Sequence, residues 1–199
     1  LKPEQLKKIV RKGQWNSYVI ICKGPRLQIW VNGKRTLDHT ESNKATPQTG
    51  LIGLQLAGGY PGQLWYKDIT IKVAAAEQAR SRLLAGVSEE VIAAAKARPL
   101  FDGKTFEGWE GNLKAFRVQD GAIVAGNLKR AILRNDYLCT KKEYTNFELR
   151  LKCKLLGNLN RANAGIQIRS QRIPNSNEMI GYQADMADVL WGCLYDERR

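Results

Sequence analysis

The chain has 199 residues, of which 43% are hydrophobic and 26% charged, and its formal net charge is +13. These proportions are ordinary for a globular protein and leave room for one large β domain or two small ones. No apolar run approaches the roughly 20 residues of a membrane helix, so no membrane span is expected.

The basic charge has no helix-turn-helix, zinc-finger or RNA-binding signature beside it, and nucleic acid is therefore not an expected partner. A solvated basic face or attraction to acidic glycans fits the charge equally well. The single histidine excludes a site built from several histidines. The cysteines are too far apart for a zinc or redox motif, although an exported protein could pair them as disulfides; they are Cys22, Cys139, Cys153 and Cys193.

The first part of the chain predicts one helix followed by strands. Leu6, Ile9 and Val10 stand at helical spacing and predict a short amphipathic helix over 3–12. Asn32-Gly33 is a strong hairpin signal, because both turn residues need positive φ. Alternation of apolar and polar residues predicts strands over 15–23, 26–31, 34–38, 50–56 and 63–73, the last with a bulge near Lys67-Asp68.

Residues 74–98 differ in kind, because they are rich in alanine and helix formers. They predict a helical linker interrupted at Gly86. A buried pair of helices is the alternative, but alanine faces with scattered arginine and glutamate would contribute little core.

From residue 99 the β pattern resumes. The Asp120-Gly121 pair predicts another hairpin, within 116–124. Further strands are predicted over 132–140, 147–154, 163–169 and 181–185. Closely spaced antiparallel strands with glycine-rich connections predict an all-β sandwich or jelly roll.

Two of these strands predict a shared polar surface. Alternation places Gln167 and Arg169 on one face of their strand, and Gln183 and Asp185 on the face of theirs that Tyr182 does not share. The last residues add further polar groups and a tryptophan, namely Trp191, Asp196, Glu197 and Arg198. This composition is typical of a binding or catalytic site. A solvated strand edge with the tyrosine and tryptophan packed beneath it explains it about as well.

Short segments throughout the chain resemble the 3-keto-disaccharide hydrolase domain family. The segments that resemble its opening half are 100–104 with Trp109, 116–118 before 120–121, 144–149, 163–166 with Arg169, and 182–185. The segments that resemble its closing half are 15–16, 30–33, 50–55 and 66–69. The resemblance implies a concanavalin A-like jelly-roll β-sandwich of antiparallel strands, usually exported to the periplasm or the extracellular space, that acts on or binds carbohydrate.

The order of the two halves is reversed relative to the family. Residues 1–73 resemble the closing half of a sandwich, 74–98 are the linker, and 99–199 resemble the opening half. Two explanations stay open at this point. The chain could be a window on a tandem array with neighbouring domains on either side, or the two halves could complete one permuted sandwich.

The resemblance also implies a reaction. The ketone of a 3-keto sugar acidifies the proton on C2, so that a base can remove it and the glycosidic oxygen on C1 can leave by β-elimination before water adds. Asp185 is the predicted base, Glu197 the predicted acid, and Arg169 the predicted group that stabilises the enolate oxygen or orients the substrate. An ion pair of Arg169 with Asp185 that is purely structural is equally compatible with the sequence. The predicted substrate contacts are Gln183, Gln55, Trp191, Tyr182, Gln167, Asp196 and Arg198.

No cofactor and no metal site are expected. Oxygen ligands of the kind present would suit calcium or manganese better than zinc, but the sequence has no spaced calcium loop. The resemblance further implies a histidine after Gln55 and Leu56, where Ala57 stands, so this copy is expected to be a weakened enzyme.

A second hypothesis is a non-catalytic carbohydrate-binding sandwich within a larger secreted protein. Aromatic side chains would then contact the sugar, and the candidates are Trp30, Trp65, Tyr182 and Trp191. Strand alternation predicts that Trp30 and Trp65 are buried instead. A scaffold without any ligand is a third hypothesis.

Overall fold

The computed structural model describes residues 3–74, 96–158, 161–187 and 190–198. Helix α1 spans Pro3–Ile9 and is the one helix within these ranges. The strands are β1 (Asn16–Lys23), β2 (Arg26–Val31), β3 (Lys34–Thr40), β4 (Leu51–Leu56), β5 (Gly62–Val73), β6 (Arg98–Pro99), β7 (Trp109–Gly111), β8 (Phe116–Gln119), β9 (Ala122–Asn127), β10 (Asp136–Thr140), β11 (Phe147–Gly157), β12 (Gly165–Arg172), β13 (Met179–Asp185) and β14 (Leu194–Glu197).

These strands form two antiparallel sheets. The larger sheet has the order β3-β2-β1-β11-β5-β9-β8, with β6 beside β5, and the smaller sheet has the order β14-β13-β12-β4-β10-β7. The predicted fold class, an all-β concanavalin A-like sandwich with a short N-terminal helix, is thereby confirmed. No helix in the described ranges is long and apolar enough to cross a membrane.

The core lies between the two sheets. Each strand sends alternate side chains inward, because successive residues of a strand point to opposite faces. Ile20 and Leu149 from the larger sheet and Leu54 and Ile166 from the smaller one are all fully buried in one hydrophobic cluster. Such burial stabilises the fold by about 2 kcal/mol for each large side chain.

Strands from before and after residues 74–98 are interleaved in both sheets. In the larger sheet β1 pairs with β11 from Asn16↔Cys153 to Cys22↔Phe147. In the smaller sheet β4 lies between β12 and β10. Each sheet therefore draws on both parts of the chain, while tandem neighbours stay a prediction.

The predicted linker lies mostly outside the described residues, which leave out 75–95. At its end the structure differs from the prediction. Arg98 belongs to the short strand β6, which pairs with Thr70 and Ile71 of β5. This pairing extends the larger sheet into the last residue of the predicted linker, two residues after the expected end of its helix at Lys96.

The predicted turns and the predicted bulge are present in the structure. Both predicted hairpin turns have positive φ at both central residues, 48° and 78° at Asn32-Gly33 and 51° and 70° at Asp120-Gly121. The predicted bulge is confirmed, because Asp68 has a φ of 53° and the pairing of β5 with β11 shifts register there. Within the described residues all four cysteines are free.

The expected burial of Trp30 and Trp65 is wrong. Both side chains are only half-buried. The inward positions of their strands belong to Ile29 and Leu64, so the same alternation that places those residues in the core turns the two tryptophans outward.

Candidate functional site

The outer face of the smaller sheet carries a set of buried polar side chains, which we call the polar face. Register aligns them across five neighbouring strands, β10, β4, β12, β13 and β14. Tyr137 on β10 pairs with Gln55 on β4, and Gln167 on β12 pairs with Gln183 on β13. The members of the polar face are Gln55, Tyr137, Gln167, Gln183, Asp185 and Glu197. All of them except Glu197 are at most 4% exposed.

A chain of hydrogen bonds crosses the polar face to Asp185. Ser170 Oγ donates to Gln167 Oε1 at 2.6 Å, Gln167 Nε2 donates to Gln183 Oε1 at 3.0 Å, and Gln183 Nε2 donates to Asp185 Oδ1 at 3.2 Å. Each amide thus has its orientation fixed by its neighbour. Buried polar groups satisfied in this way hold a defined geometry.

The side chain of Gln183 lies over Gly165, which pairs with Asp185. A Cβ atom at residue 165 would stand 2.1–2.5 Å from the Gln183 side chain. Glycine is therefore required at this position if Gln183 is to reach Asp185 in its present conformation.

A second set of contacts lies at the other side of the polar face. Gln55 Nε2 donates to the hydroxyl of Tyr137 at 2.8 Å, and that hydroxyl lies 3.5 Å from Glu178 Oε2. Glu178, in the connection between β12 and β13, also forms an ion pair with Arg198 at 2.9 Å. A carboxylate and a guanidinium thus stand beside the buried tyrosine.

One atom of this set has no partner within the described part of the chain. Gln55 Oε1 is buried and accepts no hydrogen bond there. A buried amide oxygen without a donor costs about 1–3 kcal/mol. A ligand hydroxyl that donated to this oxygen would recover that free energy, which makes Gln55 the clearest indication of a polar ligand on this face.

Asp185 is the most perturbed carboxyl group of the polar face. Burial raises its pKa to about 6, against the opposing effect of the hydrogen bond from Gln183, and the nearby charge of Glu197 raises it further. A carboxyl group with a pKa near neutrality can both accept and release a proton under ordinary conditions.

Burial also raises the pKa of Glu197, with the charge of Glu178 adding to the effect and Arg198 opposing it. The pKa of Tyr137 is raised by burial as well, against the hydrogen bond from Gln55. Titratable groups whose pKa values are shifted together in one place are more common in functional sites than elsewhere.

The backbone of Asp185 is held from three sides. Its N–H donates to the carbonyl of Cys193 at 3.0 Å, and its carbonyl accepts from Gly192 N at 2.9 Å and from the hydroxyl of Tyr18 at 2.8 Å. Tyr18 belongs to β1 of the larger sheet. The carboxyl group therefore projects from a fixed position of the sandwich.

Arg169 is not brought to the polar face. Its guanidinium donates to the backbone carbonyls of Thr145 and Gly24. The reason is a bulge, because Arg169 has a φ of 50° and the pairing of β12 shifts register between Ile168 and Gln171. Arg169 lies four residues, or about 13 Å of strand, from the partner of Asp185. The prediction that Arg169 lies close to Asp185 is therefore wrong.

Two of the predicted aromatic contacts lie elsewhere. Trp191 is 5% exposed and packs in the core, with its ring 6.1 Å from that of Tyr18. Tyr182 packs against the core from the other side of β13, and its hydroxyl donates to Glu41. Asp196 pairs with Tyr182 in the ladder, so its side chain leaves β14 on the face opposite to that of Glu197.

Three residues of this region were not predicted from the sequence, namely Tyr137, Glu178 and Tyr195. Tyr195 pairs with Gln183 and is 51% exposed, which places an open aromatic ring at the border of the polar face. Strand alternation could have indicated Tyr195, because it lies two residues before Glu197 and so on the same face. No such pattern indicates Tyr137, because it stands in a strand that is buried on both faces. The functional roles of all these residues stay predictions.

Across residues 3–74, 96–158, 161–187 and 190–198, no group of three or more histidine, cysteine, aspartate and glutamate side chains is arranged to hold a metal ion.

An antiparallel sandwich with amides, carboxyls and a tyrosine on one sheet is an architecture that suits carbohydrate recognition. A family model described as 3-keto-alpha-glucoside-1,2-lyase-like domain matches residues 2–72 and 96–199. The chain belongs to this family. A search of curated proteins found no match to the chain.

Proposed function

We propose that the protein cleaves the glycosidic bond of a 3-keto sugar by elimination across C1 and C2, followed by addition of water. The description of its family names such a lyase. The observation that supports the proposal best is the buried carboxyl group of Asp185, whose pKa is raised to about 6 and which shares the polar face with the unpartnered oxygen of Gln55.

In this mechanism Asp185, in its ionised form, removes the proton from C2. The electrons of the C2–H bond form the C1–C2 double bond as the C1–O bond breaks, with negative charge shared by the ketone oxygen on C3 during the step. A base works best when its pKa lies near the working pH, which is the case for a pKa of about 6.

Glu197 is the proposed acid for the departing oxygen. Its pKa is raised, so it holds its proton to a higher pH than an ordinary glutamate. Arg198, rather than Arg169, supplies the cation on this side of the sheet, since it pairs with Glu178 and lowers the pKa of Glu197. It would stabilise negative charge that develops on the sugar.

Hydrolysis then requires that the hydroxyl of a water add at C1 while its proton goes back to Glu197, and that Asp185 deliver a proton to C2 after its own proton has exchanged with the solvent. The sum of the two steps is one water consumed and two sugars released. Because Ala57 stands where the resemblance implies a histidine, we expect slow turnover.

The test is release of product from a 3-keto-disaccharide and from its unoxidised parent, measured by chromatography. The protein should cleave the keto sugar alone, and Asp185→Asn should abolish cleavage. Asp120→Asn is the matched control, because Asp120 lies exposed in a turn whose positive φ asparagine accepts. Cleavage that survives Asp185→Asn, or a protein that cleaves neither sugar, would overturn the proposal.

The second candidate function is sugar binding without turnover. It is favoured by the unpartnered oxygen of Gln55 together with the exposed ring of Tyr195, since both suit a ligand that is held and not cleaved. Saturable binding of the disaccharide in calorimetry, with no product formed, would support this function over the enzyme.

A further inference from the structure

The outer face of the larger sheet carries cations interleaved with tryptophans, on the opposite side of the sandwich from the polar face. Lys154 pairs with Trp65 across β11 and β5. The Lys154 ammonium lies 4.5 Å from the centroid of the Trp65 ring and 4.9 Å from that of Trp15, and the ammonium of Lys67 lies 4.4 Å from Trp15. These distances are those of cation–π contacts.

Beside these rings lies a groove of about 410 Å³, which we call the basic groove. Its lining residues are Arg11, Trp15, Ser17, Asn32, Lys67 and Lys152. Lys152 forms an ion pair with Asp68 at 2.9 Å. Three cations line the groove and Lys154 adds a fourth at its edge, so positive charge exceeds negative charge there.

We propose that the basic groove binds an acidic polysaccharide through the carboxylates of its sugar units. Ammonium and guanidinium groups on an open face attract anions, and the overall charge of +13 adds to the field. Ser17 offers a hydroxyl oxygen that can accept from a sugar hydroxyl, while the amide of Asn32 is engaged with Ile9, Asn16 and Ser17 and fixes the wall of the groove. This site is separate from the proposed active site, so the proposal goes beyond the cleavage reaction.

The covered tryptophan rings distinguish this ligand from nucleic acid. Proteins that hold single strands stack bases on open aromatic faces. Here lysine ammonium groups lie over the rings of both Trp15 and Trp65. Charge is therefore the main recognition element, and it suits a chain of carboxylated sugars.

The surface is long enough for a polymer. In the larger sheet Lys154 pairs with Trp65, Trp65 pairs with Val124, and Val124 pairs with Arg117 on β8. These residues form one row across the strands. From β11 to β8 the row crosses three strand spacings, and Ser17 of the groove, on β1, adds a fourth, which gives a span of about 19 Å. A polysaccharide that runs across the strands would meet Arg117 at one end and the basic groove at the other.

The experiment is affinity electrophoresis and calorimetry with polygalacturonate, neutral dextran and single-stranded DNA. The test variant combines Lys67→Gln, Lys152→Gln and Lys154→Gln. The control variant combines Lys104→Gln, Lys114→Gln and Lys129→Gln, which removes the same charge from exposed connections outside the groove. Cleavage of a neutral 3-keto-disaccharide is measured for each protein, so that loss of binding and loss of catalysis are separated.

We expect the parent protein and the control variant to bind polygalacturonate and not dextran. The test variant should bind about tenfold more weakly at low salt, with a shallower salt dependence and unchanged cleavage. Equal loss in both variants would show diffuse attraction and overturn the proposal. Binding of DNA as tight as that of polygalacturonate, or no binding of polygalacturonate, would overturn it as well.

Discussion

Gln183 donates its side-chain Nε2 to Oδ1 of Asp185, two residues further along β13, at 3.2 Å. This bond favours the ionised carboxylate and opposes the effect of burial. The proton affinity of Asp185 is therefore set by a balance between a buried environment and one amide donor.

Substitution of Gln183 by leucine removes this donor and should raise the pKa of Asp185 above about 6. If Asp185 is the base, the acid limb of the kcat/KM profile then moves to higher pH. The profile of Gln183→Leu is compared with that of Gln119→Leu, which changes an exposed glutamine of β8. An acid limb that stays in place in Gln183→Leu would mean that another group controls the rate.

Stability should also depend on the protonation of Asp185. Its folded pKa of about 6 lies above the ordinary value of 3.8, so the folded state binds the proton more tightly than the unfolded chain does. This stabilisation is complete below about pH 4 and is lost as the pH rises through 6. A difference of about 2 between the folded and unfolded pKa values corresponds to about 3 kcal/mol of unfolding free energy.

Asp185→Asn has no such proton to lose. The free energy of unfolding of the parent should therefore fall by about 3 kcal/mol relative to that of Asp185→Asn between pH 4 and pH 8. Urea unfolding of both proteins at several pH values measures this. A difference that does not change with pH would contradict the raised pKa.

Gly165→Ala tests the packing beneath Gln183. The new Cβ would meet the Gln183 side chain at 2.1–2.5 Å and push it away from Asp185. We expect a loss of about 1–3 kcal/mol in unfolding free energy together with reduced turnover. Gly62→Ala is the control, because its Cβ would meet its nearest atom at 3.4 Å. Equal activity of the two variants would exclude a role for this packing.

Arg169→Gln separates a structural role from a catalytic one. The guanidinium holds the carbonyls of Thr145 and Gly24, and hydrogen bonds from charged groups contribute about 1.5–3 kcal/mol each. The variant should unfold at lower urea concentration while the turnover of the folded fraction stays close to that of the parent. A large fall in kcat without a fall in stability would show instead that Arg169 takes part in catalysis.

Much of this region was predictable because strand alternation has a fixed period. It placed Gln183 and Asp185 on one face of β13 and Tyr182 on the other, as the structure does. The same rule failed for Arg169, since a bulge changes the period by one residue. The bulge depends on the pairing of β12 with both β13 and β4, and such pairing cannot be read from β12 alone.

Tyr137 shows a different limit. All five residues of β10 are buried, so its sequence gives no apolar and polar alternation to orient it. Its contact with Gln55 arises from the pairing of β10 with β4, which are 82 residues apart at this point. Contacts of this kind become visible only when the sheet order is known.

The most direct measurement of the central claim uses a 3-keto-disaccharide that carries deuterium at C2. If Asp185 removes this hydrogen as the base of an elimination, cleavage should be slower than with the protonated substrate, and deuterium should pass to the solvent during turnover beyond the exchange seen without protein. Cleavage at an unchanged rate, with all the deuterium retained at C2 of the product, would contradict the account.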